Sequence, residues 1–300
     1  MKSVVVTGVS SGIGRAVAEE CAGAGYRVYG SVRRARDADA LATALGERFV
    51  PLVFDVTDGD AVRAAAARVE RDLAPGGVLG GLVNNAGASA GAGPLMHSPL
   101  ADVRLQLELN VIGLLAVTQA FLPLLGARRP RPATVGRIVN ISSVGGRLAA
   151  PFIGAYAASK HAVEGLSDAL RRELMLYGID VIVIQPGAIQ TAIWDKAAAL
   201  DVSVFDDTDY APILGRFRDE FVRRGQAGLP ATRVASVVRT ALETARPRDR
   251  YAIVPQRLVN WTLPRLLPTR WVDRLIAAAV GLTAAQQRLT TEAAASPEAR

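Results

Sequence analysis

Ser3-Val4-Val5-Val6-Thr7-Gly8-Val9-Ser10-Ser11-Gly12-Ile13-Gly14 opens the chain and runs straight into Arg15-Ala16-Val17-Ala18-Glu19-Glu20-Cys21. The first four residues read as a short buried strand, and the last seven as a helix. A strand, a tight glycine turn and a helix N-terminus make an anion site. Backbone N–H groups point outward there, and the helix dipole favours negative charge. Glycine lets the backbone approach a phosphate with no Cβ between them. Gly8, Gly12 and Gly14 are spaced G-x-x-x-G-x-G, which differs from the G-x-G-x-x-G of the commoner dinucleotide fingerprint. The competing reading is a glycine-rich turn that binds nothing. The strand before it and the helix after it favour the pyrophosphate.

The same alternation continues downstream. Strand patterns fall at Arg27–Val32, Phe49–Phe54, Gly81–Asn84, Arg137–Ile141 and Asp180–Ile184, with helical patterns at Asp37–Leu45, Asp60–Leu73, Val103–Leu125 and Ala155–Leu176 between them. A βαβ series implies a parallel sheet with helices on both faces and right-handed crossovers. The expected fold is therefore α/β, a Rossmann-type doubly wound sheet of about seven strands in a single domain over residues 1–255. Residues 256–283 would form an apolar helical segment of the same domain, and 284–300, rich in Ala, Gln and Thr, reads as a disordered tail.

Composition agrees. With 300 residues, half of them hydrophobic, the chain can bury a full sheet. The single cysteine, Cys21, excludes an internal disulfide and reads as core. No signal peptide precedes the first strand, and no apolar run approaches the roughly 20 residues of a spanning helix, so the expected location is the cytoplasm. The net charge of +7 comes from scattered arginines without interleaved aromatics, which argues against nucleic acid and suits an anionic cofactor. His97 and His161 are too few and badly placed for a ligand set, so no metal is expected.

Tyr156-Ala-Ala-Ser-Lys160 carries the chemistry. Tyrosine and lysine at i and i+4 share one helix face. A free phenol has a pKa of about 10, and an adjacent ammonium lowers it, so the pair can exchange a proton with a carbonyl/alcohol couple. Ser143 lies thirteen residues before Tyr156. With Thr7-Gly8-(x3)-Gly12-Ile13-Gly14, Asn84-Asn85-Ala86-Gly87, Asn110 and Pro186-Gly187, these motifs stand in the order of the short-chain dehydrogenase/reductase family. The sequence resembles that family over about residues 2 to 255.

The resemblance implies roles. Tyr156 would exchange the proton with the reacting oxygen. Lys160 would lower the tyrosine pKa and bind the nicotinamide ribose. Ser143 would hydrogen-bond the reacting oxygen, with Ser142 as its rival. Asn110 would anchor a water that relays protons to Lys160. The side chain of Asp55 and the N–H of Val56 would hold the adenine ring. Asn84, Ala86 and Gly87 follow the fourth strand, and Pro186, Gly187, Ile189 and Thr191 follow the sixth, where the cofactor lies. Ser10, Ser11, Gly12 and Ile13 belong to the phosphate turn.

Cofactor choice turns on the end of the second strand. NAD-specific relatives place a carboxylate there for the ribose hydroxyls. Here Val32 is followed by Arg33-Arg34, which suits a 2′-phosphate that a guanidinium can grip with two hydrogen bonds. NADP(H) is expected over NAD(H), with Arg33 the chief contact. Against this, Ser11 is not the basic residue many NADPH-using relatives carry there. The loop over 188–214 and the segment from Arg257 are apolar, so the expected substrate is a lipophilic secondary alcohol or ketone of steroid, retinoid or fatty type. Ile189, Trp194 and, at the rim, His97 are candidate contacts. The alternatives are a catalytically silent cofactor sensor on the same fold and an NAD-dependent dehydrogenase of a small alcohol. A homodimer or homotetramer is expected.

The C-terminal segment predicts a helix with Thr269 as its N-cap, ended by Gly281. Trp271, Leu275, Ile276, Ala279 and Val280 would share one face, with Arg270, Asp273 and Arg274 opposite. A pocket cover is the first reading, a subunit contact the second and a peripheral membrane contact the third.

Overall fold

The computed structural model describes residues 2–89 and 92–283. Strands β1 (Ser3–Val6), β2 (Arg27–Val32), β3 (Phe49–Val53), β4 (Gly81–Asn84), β5 (Arg137–Ile141) and β6 (Val181–Pro186) are joined by a seventh long-sheet strand, β9 (Arg250–Ile253). A two-stranded side sheet holds β7 (Ile189–Gln190) and β8 (Leu229–Pro230). The main sheet runs β3-β2-β1-β4-β5-β6-β9, and every neighbouring pair is parallel. The order reverses between β1 and β4, which opens a crevice at their carboxyl ends.

Helices α1 (Gly12–Gly23), α2 (Ala35–Leu45), α3 (Gly59–Asp72), α4 (Leu100–Leu107), α5 (Gly113–Phe121), α6 (Gly154–Leu174), α7 (Ile193–Ala198), α8 (Ala211–Gln226), α9 (Ala231–Glu243), α10 (Leu263–Leu266) and α11 (Thr269–Val280) complete the chain. Two cores follow from the two faces. On one face Val17 and Cys21 of α1 and Val234 and Val238 of α9 pack on β1, β5 and β6. On the other, Val62 and Val69 of α3, Phe121 of α5 and Leu170 of α6 pack on the same sheet. The strands read as unbroken apolar runs because both faces are covered. Cys21 is fully buried, and burial pushes its thiol up to about 12.

Several boundaries differ from the sequence reading. β3 stops at Val53 and β6 extends to Pro186. The expected helix over Val103–Leu125 starts at Leu100 and widens into a π turn at Glu108–Ile112 before α5. β9 has no apolar signature because it is an edge strand whose first three residues are only half-buried. Thr269 is the first residue of α11 and not its cap, because Pro268 holds the N-cap position. Gly281 ends the helix in the left-handed conformation, φ 82°. The faces of α11 also differ. The buried or half-buried row is Val272, Ile276 and Val280, spaced by four, whereas Trp271 and Leu275 point outward. The expected tail at 284–300 lies outside the described residues.

A buried ion cluster locks β9 to α6. Glu164, almost fully buried, accepts from Gln185 Nε2 at 2.9 Å and Arg250 Nε at 2.9 Å, and pairs with Arg147 Nε at 3.2 Å. Arg250 also reaches Asp168 Oδ1 at 2.6 Å. Removing one partner of a buried pair strands the other charges. Glu164→Ala is expected to lower unfolding stability by about 2–3 kcal/mol, less than for a fully buried pair because both arginines keep some water. Chemical denaturation checks this, and an unchanged midpoint would show that the cluster contributes nothing.

Candidate active site

The glycine turn is shaped by close approach. Gly8 has φ +71°, and a Cβ on it would stand 2.9 Å from Ala86 Cα. A Cβ on Gly14 would meet the carbonyl of Gly8 and the amide of Asn85 at 2.2 and 2.3 Å. Neither position tolerates a side chain. Gly12, φ +59°, faces Thr191 from the loop after β6. Ser11 occupies the N-cap of α1, yet its hydroxyl caps no N–H of that helix. The first-turn N–H groups are therefore left for an external anion. Ser10 and Ser11 are both exposed on this turn. The cradle fits a pyrophosphate on its own geometry.

Asn85 and Thr7 hold the cradle. Asn85 Nδ2 donates to Thr7 O at 2.9 Å and Gly8 O at 3.1 Å, and Thr7 Oγ1 accepts from the N–H groups of Asn85 and Ala86 at 2.9 Å each. Neither was singled out from sequence, although Asn85 stood in plain view as the second member of the Asn84-Asn85 pair. The expectation for Asn84 is corrected. Its side chain lies beneath the turn, where Nδ2 donates to Thr118 Oγ1 and Asn140 Oδ1 at 2.9 Å, so it braces β4 against β5 and α5. Asn140 passes the chain on to Ser167 Oγ at 2.9 Å. Asp55 spends one carboxylate oxygen on Thr57, whose N–H and hydroxyl reach it at 3.0 and 2.8 Å. Val56 is buried against Gly113. Gly87 is held within reach of Asn110, where a Cβ would stand 2.8 Å from Oδ1.

The catalytic candidates converge at the ends of β5 and α6. Ser143 accepts from Gly145 N at 3.0 Å and donates weakly to Pro186 O at 3.5 Å. Ser142 instead points at the Lys160 carbonyl, 3.5 Å away, below the site. Of the two, Ser143 is the serine beside Tyr156, and its hydroxyl pulls the Tyr156 pKa downward. Lys160 is buried, and Nζ donates to Ile141 O at 2.9 Å while standing 5.9 Å from the Tyr156 ring centre. Burial lowers the Lys160 pKa to about 8, opposed by the Glu164 carboxylate. Tyr156 differs from expectation. Burial raises its pKa, Ser143 opposes the rise, and the Lys160 ammonium is turned to a backbone carbonyl. The resting tyrosine is thus a phenol, set to donate.

Asn110 sits in the π turn, and its amide is fully engaged by protein. Nδ2 donates to Ala88 O and Ser159 Oγ at 3.0 Å, and Oδ1 accepts from Ala88 N at 3.0 Å. Ser159 in turn donates to Tyr156 O at 2.7 Å. The asparagine therefore ties the loop after β4 to the tyrosine turn of α6, a link that Ser159, inside the quoted pentapeptide, could have signalled.

The substrate candidates divide. Ile189 is 4% exposed and belongs to the core, not to the pocket wall. Trp194 donates from Nε1 to Ile189 O at 2.7 Å, and its ring packs edge-on to Phe221 at 5.2 Å and over Gly225. It pins the flap formed by α7 and α8. His97 is exposed at the rim, edge-on to Tyr210 at 5.9 Å. A residue that sequence reasoning missed is Phe152, just before α6, buried in a small cluster with Phe205, Ile213 and Leu214. It has a strained φ of 66° and packs on Tyr210 and Phe217. At the cofactor end, Val32 is buried, and Arg34 is chelated by Asp37 at 2.9 and 3.3 Å. Arg33 is exposed and pairs with no carboxylate among the described residues.

Residues 2–200 match the family model described as short chain dehydrogenase. Two relatives show how far the similarity extends. The NADPH-dependent 3-dehydrocapnine reductase of Ornithobacterium rhinotracheale is 40% identical over 275 residues, covering 92% of this chain and 96% of that protein. Retinol dehydrogenase 16 of Mus musculus is 31% identical over 290 residues, covering 92% and 87%. Among solved structures, a short-chain dehydrogenase/reductase of Burkholderia phymatum in complex with NAD superposes with a TM-score of 0.71 at 29% identity, covering 88% of this chain and 92% of that one. The chain belongs to the short-chain dehydrogenase/reductase family, oxidoreductases that act on CH–OH and C=O groups.

Proposed function

We propose that this protein is an NADP(H)-dependent oxidoreductase of lipophilic secondary alcohols and ketones. The observation that carries the chemistry is the convergence of Ser143, Tyr156 and the buried Lys160 beside the glycine cradle. The nicotinamide supplies or accepts the hydride. Ser143 Oγ and the Tyr156 hydroxyl grip the reacting oxygen, and Tyr156 gives its proton to that oxygen as negative charge develops. Lys160, whose ammonium rests on the Ile141 carbonyl, would ease the loss of that proton on turning toward the tyrosine. A phenol raised above its usual pKa holds its proton at neutral pH, so Tyr156 starts the reduction as the proton donor.

Arg33 supports the choice of NADP(H). It stands free next to buried Val32, while Arg34 is already spent on Asp37. A relative at 40% identity is NADPH-dependent, although a structural neighbour holds NAD. The apolar rim supports a lipophilic substrate, since Leu95, Met96 and Val204 are exposed around Tyr210 and Phe205. A retinol dehydrogenase among the relatives fits the same class.

Tyr156→Phe keeps the ring and removes the proton. Reduction of a bulky ketone is expected to fall by about 10²–10⁴-fold while cofactor affinity stays. Activity near that of the parent would remove Tyr156 from the chemistry. Arg33→Asp is expected to weaken NADPH binding by about 2–3 kcal/mol and to leave NADH binding little changed. Titration of both cofactors measures this, and an equal loss for each would show that Arg33 does not read the 2′-phosphate. The pH dependence follows from Lys160. Its pKa of about 8 lies below the 10.5 of a free lysine, so the ammonium is present below about 8 and lost above it. kcat/KM for reduction should therefore decline as pH rises through about 8. Lys160→Arg, which keeps its charge, should show no such limb; an identical limb in that variant would assign it to another group.

A further inference from the structure

The segment after β9 leaves an apolar surface uncovered. Leu258, Val259, Leu263, Leu266, Trp271 and Leu275 are all exposed, Leu266 by 75% and Trp271 by 61%. At about 100° per residue, Trp271, Leu275 and Ala278 form an outward stripe of α11, turned by about one residue from the inward row of Val272, Ile276 and Val280. Arg270 and Arg274 border that stripe, while Asp273 falls toward the inward side. Four arginines and one aspartate lie between residues 257 and 283. Arg265 lies over the ring of buried Trp261, 4.7 Å from its centre, which fixes that guanidinium on the outside of the arm. Leu282 fastens the end of the segment to the cluster of Phe152, Phe205, Ile213 and Leu214 that underlies the substrate rim.

We propose that this arm is a docking surface for a bilayer bearing anionic headgroups. It would lie in the interface plane with Trp271, Leu275 and Leu266 among the upper acyl chains and the arginines among the headgroups. Charge chooses the occupant. A pocket cover uses only the inward row and leaves the outward stripe wet. A second copy joined on the same patch would bring together two segments that each carry four arginines and one aspartate, an excess of like charge. Residues 284–300 offer Leu289 as their one large apolar side chain. No helix of the described residues is long and apolar enough to cross a membrane, so the contact is peripheral. The proposal stands on the arm itself and holds whatever the substrate is.

The test is flotation of the full-length protein with vesicles of phosphatidylcholine alone and of phosphatidylcholine containing phosphatidylglycerol, with no substrate present. Binding is expected to the anionic vesicles, weaker binding to the neutral ones, and release as salt rises. The double variant Trp271→Ser/Leu275→Ser should lose at least tenfold in vesicle affinity. Arg270→Gln/Arg274→Gln should lose about tenfold or more on anionic vesicles only. All four side chains are exposed, so NADPH binding should be unchanged and serves as the folding control. In the parent protein, bilayer-embedded brominated lipid should quench tryptophan emission, a readout that needs no variant. Absence of flotation at low salt, or flotation and quenching that survive both double variants, would overturn the proposal. So would a Trp271→Ser/Leu275→Ser protein that binds vesicles normally but changes its oligomeric state, since the stripe would then be a subunit contact.

Discussion

A lysine ammonium held inside a nearly dry site is the constraint on which this molecule is organised. Lys160 is 7% exposed and has the Ile141 carbonyl, 2.9 Å away, as its hydrogen-bond partner. Burial lowers its pKa to about 8, which still leaves it charged at neutral pH. The Glu164 carboxylate, one turn along α6, pulls the other way. That carboxylate is itself held by Arg147, from the loop after Ser143, by Arg250 of β9 and by Gln185 of β6. The charge of Lys160 and the placing of three segments around the site thus depend on one buried network.

The cradle and the catalytic group are coupled through polar side chains with little freedom. Thr7 and Asn85 clamp the glycine turn, and Asn110 and Ser159 join the loop after β4 to the backbone of Tyr156. Asn84, Thr118, Asn140 and Ser167 form a second ladder under the sheet. Such networks are high-stakes when buried, because an unpaired member costs more than a paired one contributes. A bound cofactor would therefore meet a surface already shaped by the protein's own hydrogen bonds.

The apolar periodicity made the doubly wound sheet legible, because strands buried on both faces read as unbroken runs, as at Val4–Val6 and Val181–Ile184. β9 escaped because its residues Arg250-Tyr251-Ala252-Ile253 are half-exposed on the edge and are held by ion pairs that no periodicity records. The tight approach at Gly8 and Gly14 and the closeness of Tyr156 to Lys160 were legible from spacing, whereas the role given to Ser143 rested on the family resemblance. The direction of side chains was not. Asn84 and Ile189 occupy the positions expected but turn inward, and Trp194 is spent on the flap. The same limit applies to α11, whose ends were legible while its buried row, offset by one residue from Trp271 and Leu275, depended on what lies beneath it. The relation of Tyr156 to Lys160 was legible as proximity, but its electrostatic sign in the resting chain depended on burial and on the Ile141 carbonyl.

That sign is the centre of the account, in which Tyr156 holds its proton while Lys160 holds the charge. Ultraviolet difference titration of tyrosinate in the parent protein and in Tyr156→Phe measures it directly. The account predicts that the two titration curves coincide up to the ordinary tyrosine range of about pH 10, with any step due to Tyr156 above it. A tyrosinate step near neutral pH that is present in the parent and missing from Tyr156→Phe would contradict it.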